Sequence, residues 1–298
     1  MTRDINLALK QRLARRDGLI VPGAANALSA RIIEDIGFEA AYLTGAGITN
    51  MFLGTPDIGL ITLTELGDHV AAIRDAVEIP LIVDADTGFG NAINTQRTFR
   101  VLERAGANAI QLEDQDFPKR CGHFAGKGVI ERFEMVQKIR AAADARRDEN
   151  TLIVARTDAI AVHGFQDALE RAQSYIEAGA DVTFVEAPRT LQDMAAIPAK
   201  LDVPQIINLV AGGLTPHSGV YELRGMGFAM ILYANAALQA AVFGMQKVLG
   251  HLHQHGSLAG VNDELVDFSE RQRLVAKPLF DALEKKYDAR VPESATNK

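Results

Sequence analysis

Between Leu112 and His123 the chain reads Leu-Glu-Asp-Gln-Asp-Phe-Pro-Lys-Arg-Cys-Gly-His. Glu113 and Asp114 stand at the tip of an apolar run, Asn108 to Leu112, that has the composition of a buried strand. A polar loop follows with two cations, Lys119 and Arg120, the only cysteine of the chain, Cys121, and His123. Neighbouring cations favour a thiolate, so this thiol is expected to titrate low. The stretch reads as a catalytic loop above a parallel β/α scaffold, with both carboxylates presented at the strand end.

Bulk properties narrow the partners. The chain has 298 residues, 48% hydrophobic, with a formal net charge of -7 and a pI near 5.5. The length suits one α/β barrel. The acidic balance and dispersed Lys and Arg exclude nucleic acid and an anionic membrane surface as expected partners. No apolar run reaches the length of a membrane span. The opening Met1 to Asn6 carries an acid and lacks an apolar signal core, and one cysteine makes no internal disulfide. Both point to a reducing cytoplasm.

The elements that must position these residues alternate regularly. A lead-in helix spans Ile5 to Arg16. Strands are predicted at Leu19 to Val21 (stopped by Pro22-Gly23), Ala40 to Leu43, Pro80 to Val83, Asn108 to Leu112, Thr151 to Ala155, Val182 to Val185, Gln205 to Ile207 and Phe228 to Leu232. Helices fall between them, at Asn26 to Ile36, Thr64 to Val77, Asn94 to Ala105, Glu131 to Arg147, Gln166 to Ala178, Leu191 to Leu201 and Tyr221 to Met226. From Asn235 the rest reads helical, with a polar break around Gly256 to Asp263. A weak repeat recurs at Ile36-Gly37-Phe38, Ala105-Gly106-Ala107, Ala178-Gly179-Ala180 and Met226-Gly227-Phe228: a glycine ends a helix just before an apolar strand. Continuous apolar strands are buried on both faces, and eight of them favour a (β/α)8 TIM-type barrel over an open sheet. Residues 1–250 are assigned to the barrel and 251–298 to a helical extension of the same domain.

Barrel active sites form at the carboxyl ends of the strands. Those ends gather Thr44, Gly45 and Ala46, then Asp84, Asp86, Glu113, Cys121, His123, Arg156, Glu186 and Asn208. Asp84, Asp86 and Glu113 are three hard oxygen donors, which suit Mg²⁺ with some contacts made through water. No His/Cys pair has zinc spacing. Arg156 offers a fork for a carboxylate, and the small residues after Thr44 let backbone N–H groups approach an anion. Each residue also has a plainer reading. The two aspartates could cap a helix, Glu113 could pair with Arg156, and Cys121 could be a small buried apolar group. His69, His163, His217, His251, His253 and His255 are read as surface or packing residues.

At these residues the chain resembles the isocitrate lyase/phosphoenolpyruvate mutase superfamily. The likeness is carried by Pro22-Gly23-Ala24-Ala25-Asn26-Ala27-Leu28-Ser29-Ala30-Arg31, by Asp84-Ala85-Asp86-Thr87-Gly88-Phe89-Gly90-Asn91, and by Glu113-Asp114-Gln115 with Lys119-Arg120-Cys121-Gly122-His123. It continues at Ala155-Arg156-Thr157-Asp158-Ala159. The Lys-Arg-Cys-Gly-His run is similar to the lyase signature of the short branch, which includes 2,3-dimethylmalate lyase, 2-methylisocitrate lyase, oxaloacetate hydrolase and carboxyphosphonoenolpyruvate phosphonomutase. The resemblance implies a homotetramer, a dimer of helix-swapped dimers, and a Mg²⁺ site that also takes Mn²⁺. It implies that Asp84 and Asp86 hold the ion, with Glu113 and Asp57 in the outer shell. Thr44, Gly45, Ala46, Cys121, Gly122, Arg156, Glu186 and Asn208 would hold the carboxylates of a di- or tricarboxylate, and the loop carrying Cys121 would close over the substrate.

The resemblance further implies cleavage of a 2-hydroxy dicarboxylate to a 2-oxo acid such as pyruvate and a second carboxylic acid. Cys121 would be the general acid, His123 and Glu186 would orient the second carboxylate, and Tyr42 is one candidate base. Where 2-methylisocitrate lyases carry an arginine after the eighth strand, this chain has Gln239, which favours a substituted malate over a tricarboxylate. Phosphonomutase chemistry and oxaloacetate hydrolysis or decarboxylation are the rival reactions; a non-catalytic dicarboxylate sensor is the rival of another class.

Overall fold

Eight apolar runs that each return after a helix can bury both strand faces by closing on themselves. The computed structural model shows this closure and describes residues 2–120, 122, 126–216 and 218–288. The strands are β1 (Leu19–Ala24), β2 (Ala41–Leu43), β3 (Leu81–Asp84), β4 (Ala109–Glu113), β5 (Leu152–Thr157), β6 (Val182–Val185), β7 (Gln205–Asn208) and β8 (Met230–Tyr233). They pair in parallel in chain order, and β8 closes on β1. The helices are α1 (Thr2–Ala14), α2 (Ala27–Ile36), α3 (Gly45–Ile48), α4 (Leu63–Arg74), α5 (Ala92–Ala105), α6 (Arg132–Ala145), α7 (Phe165–Glu177), α8 (Leu191–Lys200), α9 (Val220–Met226), α10 (Ala236–His255), α11 (Phe268–Leu274) and α12 (Lys277–Lys286). None is long and apolar enough to cross a membrane.

Strand alternation builds two cores at once. Val21, Ile82, Val154, Phe184, Ile206 and Leu232 share one buried cluster with Leu9 and Leu13 of α1. Val83, Ile110 and Ile153, at the alternate positions, pack against Phe99, Leu102, Met135 and Ile139 of the covering helices. Asn6 of α1 accepts from Asn108 Nδ2 at 2.6 Å and donates to Thr151 Oγ1 at 3.1 Å. Both partners precede strands, so α1 covers the end of the barrel away from the carboxyl rim.

One strand end differs from the sequence reading. Pro22-Gly23 does not stop β1, which runs on to Ala24 and pairs Pro22 with Tyr233 and Gly23 with Tyr42. A Cβ at Gly23 would lie 1.9 Å from the Ala234 carbonyl oxygen, so the glycine is what lets β1 and the exit of β8 approach. The small residues after Thr44 form a short helix: Gly45–Ile48 is α3, with Gly47 N–H donating to Thr44 Oγ1 at 3.3 Å. A π-turn at Thr49–Leu53 follows. The region after Asn235 divides into α10, α11 and α12 around a 3₁₀ turn at Asn262–Glu264, and residues 289–298 lie outside the described residues.

The chain forms two compact units, Met1–Ala240 and Ala241–Lys298. The second is held locally, by Lys247 Nζ on Glu264 Oε1 at 2.6 Å and His251 Nε2 with the Ala259 carbonyl at 2.9 Å. It exposes Phe243, Leu249, Phe268, Leu279, Phe280 and Tyr287.

Asp114, expected beside Glu113 above the strands, points the other way because successive strand residues alternate. It is fully buried against α7. Its Oδ2 accepts from Thr157 Oγ1 and Tyr175 OH, both at 2.7 Å, and its Oδ1 accepts from the Asp158 N–H at 2.9 Å. Burial pushes this carboxyl up, against the pull of those donors. Tyr175→Phe should therefore lower stability by about 1–3 kcal/mol, because a buried carboxylate loses a donor. Urea unfolding measures this, and an unchanged midpoint would remove Asp114 as the anchor of β5 to α7.

Candidate active site

The carboxyl ends of β2 to β8 converge on one cleft. Tyr42, Thr44, Ala46, Asp57, Asp84, Glu113, Gly122, Arg156, Glu186 and Asn208 all line it, as the sequence reading expects. Register explains the convergence: β3 pairs Asp84 with Gln111, β4 pairs Glu113 with Arg156, and β7 pairs Asn208 with Leu232. Gly45 and Asp86 stand beside the cleft. A Cβ on Gly45 would lie 3.1 Å from Asp86 Oδ1 and 3.4 Å from Asp84 Oδ2, so a side chain there would crowd both carboxylates. Cys121 and His123, and also His217, lie outside the described residues.

The two aspartates are not helix caps. Asn91 caps α5 through its own side chain. Asp84 Oδ1 instead accepts from the Asp86 N–H at 3.2 Å and from Gln111 Nε2 at 3.0 Å. Asp86 has φ +48°, in the left-handed region that costs a non-glycine residue energy and that clusters at functional sites.

Lys119 has no site role in the sequence reading, yet it is the cation on which these acids centre. Its Nζ lies 2.5 Å from Asp57 Oδ1 and 2.7 Å from Asp86 Oδ1. Burial disfavours its charge, but Asp86, Glu113, Asp57 and Asp84 outweigh burial and hold it protonated. Burial likewise pushes the Asp86 carboxyl up, to about 7, opposed by Lys119 and reinforced by Asp84 and Asp57. Three aspartates thus face one ammonium at the rim.

Arg156 carries the other half of the site. It lies 3.4 Å from Glu113 Oε2 and 3.8 Å from Glu186 Oε2, and it holds Asp158 through two bonds, Nε to Oδ2 at 2.9 Å and Nη2 to Oδ1 at 3.1 Å. Its guanidinium carbon sits 5.2 Å from the Phe184 ring centroid, a cation–π distance. Burial opposes the charge, but Asp158, Glu186 and Glu113 keep it fixed. The plainer reading of Glu113, a partner for Arg156, is therefore part of the geometry. Burial raises Glu113 well above the ordinary range, with Arg156 opposing, and its buried Oε1 has no hydrogen-bond partner among the described residues. Asp158, which holds the same Nε and Nη2 atoms, likewise has no role in the sequence reading. Only its place in Arg156-Thr157-Asp158, two residues on and hence on the same strand face, could have marked it.

Tyr42 is buried and donates to Gln111 Oε1 at 2.8 Å, while Gln111 passes a donor to Asp84. Burial, then Asp84, raises the phenol well above its ordinary value. That bond orients Gln111, and Tyr42 lines the cleft together with Asp84.

The donor chemistry fits a divalent cation. Asp84 and Asp86 offer hard oxygens beside a small-residue cradle at Gly45, and the acids outnumber the nearby cations. Among the described residues no three such groups already converge on one point; Glu113 leans toward Arg156 and Lys119 bridges Asp57 to Asp86. Mg²⁺ keeps several waters, so one or two direct carboxylates suffice.

Comparison with known proteins places this arrangement. The family model described as phosphoenolpyruvate phosphomutase matches residues 9–253. The chain is 43% identical to a 2-methylisocitrate lyase of Aeropyrum pernix over 97% of its own length and 92% of the relative. It is 41% identical to a 2,3-dimethylmalate lyase of Eubacterium barkeri, over 95% and 99% of the two chains. Among solved structures it is similar to an oxaloacetate acetylhydrolase in complex with 3,3-difluorooxalacetate, with a TM-score of 0.88, 34% identity and coverage of 96% and 97%. It is also similar to a phosphonopyruvate hydrolase complex with oxalate and Mg²⁺, with a TM-score of 0.86, 30% identity and coverage of 96% and 99%. With the family model and these relatives each spanning most of its length, the chain belongs to the phosphoenolpyruvate phosphomutase family, within the isocitrate lyase/PEP mutase superfamily.

Proposed function

We propose that this protein is a metal-dependent carbon–carbon bond lyase that splits a substituted malate into a 2-oxo acid and a second carboxylic acid. The observation that supports the reading is that one cleft is lined by the buried Arg156 and Asp84, with Asp86 beside it. The lyase names of the similar proteins over nearly the full chain support it.

Asp84 and Asp86 would hold Mg²⁺, with Glu113 and Asp57 behind them. When bound, the ion supplies positive charge where the 2-hydroxy acid end gathers negative charge. The remaining work falls to side chains. Arg156, whose Nε and Nη2 hold Asp158, supplies the fixed positive charge that a substrate carboxylate would meet, and Thr44 and Ala46 line the same cleft with Gly45 beside them. Phe184, next to Arg156, and Leu232 and Ala234 add apolar lining, which accepts a methyl group more readily than a third carboxylate. With Gln239 in the sequence after β8, this favours a dicarboxylate.

In the reaction a base of the cleft, with Tyr42 or a metal-linked group as candidates, takes the 2-hydroxyl proton and the C2–C3 bond breaks. The oxygen electrons form the new carbonyl of the 2-oxo acid, and the C2–C3 pair passes to C3 as an enediolate. Cys121 delivers a proton to that carbon, with His123, Glu186 and Asn208 keeping the departing carboxylate in place. Tyr42 orients Gln111 and through it Asp84. A single thiol and soluble acid substrates suit the cytoplasm. The exposed apolar residues of α10, α11 and α12 suit burial against further copies of the chain in the helix-swapped tetramer that the resemblance implies.

Supplied with 2,3-dimethylmalate, 2-methylisocitrate, oxaloacetate, phosphonopyruvate and simple malates, the purified protein should release a 2-oxo acid fastest from a substituted malate. A lactate-dehydrogenase couple measures this directly for pyruvate. A chelator should abolish the release and added Mg²⁺ restore it. Turnover of only the phosphonate or only oxaloacetate would replace the malate-lyase reading with a rival reaction, and turnover of none would sink it. Cys121→Ser should bind oxalate as the wild type does yet lose about 10²–10⁴-fold in kcat, the contribution of a positioned acid. Near-normal turnover in that variant would remove the acid role.

A further inference from the structure

Lys127 has no place in the chemistry above, yet its side chain is almost wholly buried. Its Nζ lies 2.6 Å from Asp158 Oδ1, with side-chain exposures of 2% and 0% for the pair. The same ammonium donates to the backbone carbonyl of Gly122. Asp158 cannot yield toward the lysine, because its backbone N–H is fixed by Asp114 and its two oxygens hold Arg156. Gly122 in turn rests on the arginine itself. A Cβ there would fall 2.4 Å from Arg156 Nη2 and 2.9 Å from the Glu186 carboxyl carbon. One carboxylate is therefore shared between the arginine of the cleft and a lysine that grips the backbone covering it.

We infer that Lys127 is a positioning residue that seats the Gly122 backbone on Arg156 by tying it to Asp158. The inference rests on the reading of Arg156 as the carboxylate-binding group. A buried ammonium is stable only with its acceptors in place. If the Gly122 carbonyl leaves, Lys127 loses one acceptor, and water reaches Asp158 and the guanidinium. The electrostatic stability of the Lys127–Asp158–Arg156 row is thus coupled to the position of Gly122. Arg156 would meet substrate without competing water only when the lysine holds both ends. Without the lysine, Arg156 still has Asp158 and still binds carboxylate. The loss should therefore fall on turnover more than on binding.

Cys121 is covalently next to Gly122 and is the only thiol in the sequence, so its alkylation rate reads the position of this backbone. Wild type, Lys127→Met and Lys127→Arg would be treated with iodoacetamide in the presence of Mg²⁺ and saturating oxalate. The Met variant should alkylate about 10-fold faster or more, the loss expected for one charge-assisted hydrogen bond. In pyruvate-release assays its kcat should drop by about 10²-fold with KM changed far less, as for a misplaced catalytic geometry. The Arg variant should recover part of both effects. Where Lys127→Met fails to fold, the Arg variant carries the test through the same two readouts. Wild-type alkylation and kcat in a folded variant would overturn the inference, as would a KM increase with kcat unchanged. A wild type that cleaves no malate but still shows the alkylation difference would overturn the proposed reaction and leave the coupling standing.

Discussion

Burying carboxylates together is costly unless cations or hydrogen bonds balance them, and this rim gathers more carboxylates than it has cations to match. Asp57, Asp84 and Asp86 meet Lys119, while Glu113, Asp158 and Glu186 meet Arg156. Among the described residues each set has more acid groups than cations, even with Lys127 beside Asp158. A site built this way is stable enough to fold and still short of positive charge. The shortage is what a divalent ion would relieve, and the fixed guanidinium is what a carboxylate substrate would use. The balance also sets the pattern of titration: the acids nearest the deficit are pushed up, while Asp158, gripped by Arg156 and Lys127, is held down near 2 despite burial.

The barrel is suited to this arrangement because it separates the site from its support. Strand alternation sends Glu113 toward the cleft and Asp114 toward α7, one residue apart. The first meets Arg156; the second, through the Asp158 N–H, fixes the carboxylate that holds the same arginine from behind. Position at the rim thus comes from adjacent residues of β4 acting on opposite faces of the same ladder. Gly23 makes a related contribution, letting β1 and the exit of β8 come close enough for the ring to close.

Much of this was legible in the chain. Apolar runs with glycine-ended helices between them implied eight parallel strands, and the structure has them, with ends moved by at most three residues. The strand-end rule found most of the cleft lining because a buried strand carries the polar residue that directly follows it to the barrel rim. What escaped depended on direction and on distance in sequence. Asp114 looked equivalent to Glu113 because composition does not say which face a strand-end residue takes. Lys119 read as a loop cation near Cys121; nothing local says that it turns inward to Asp57, which is 62 residues away. Pro22-Gly23 read as a stop because proline and glycine usually end strands, whereas here close approach of backbones demands the glycine.

The central claim is that the excess of carboxylate around Asp84 and Asp86 is a built cation site. Titration of the metal-free protein with Mn²⁺, followed by electron paramagnetic resonance of the free ion, addresses it without reference to any substrate. One Mn²⁺ per chain should bind in the wild type, compete with Mg²⁺, and be lost in Asp84→Asn while the fold is retained. Retention of the same stoichiometry and affinity in the folded Asp84→Asn protein would contradict the account.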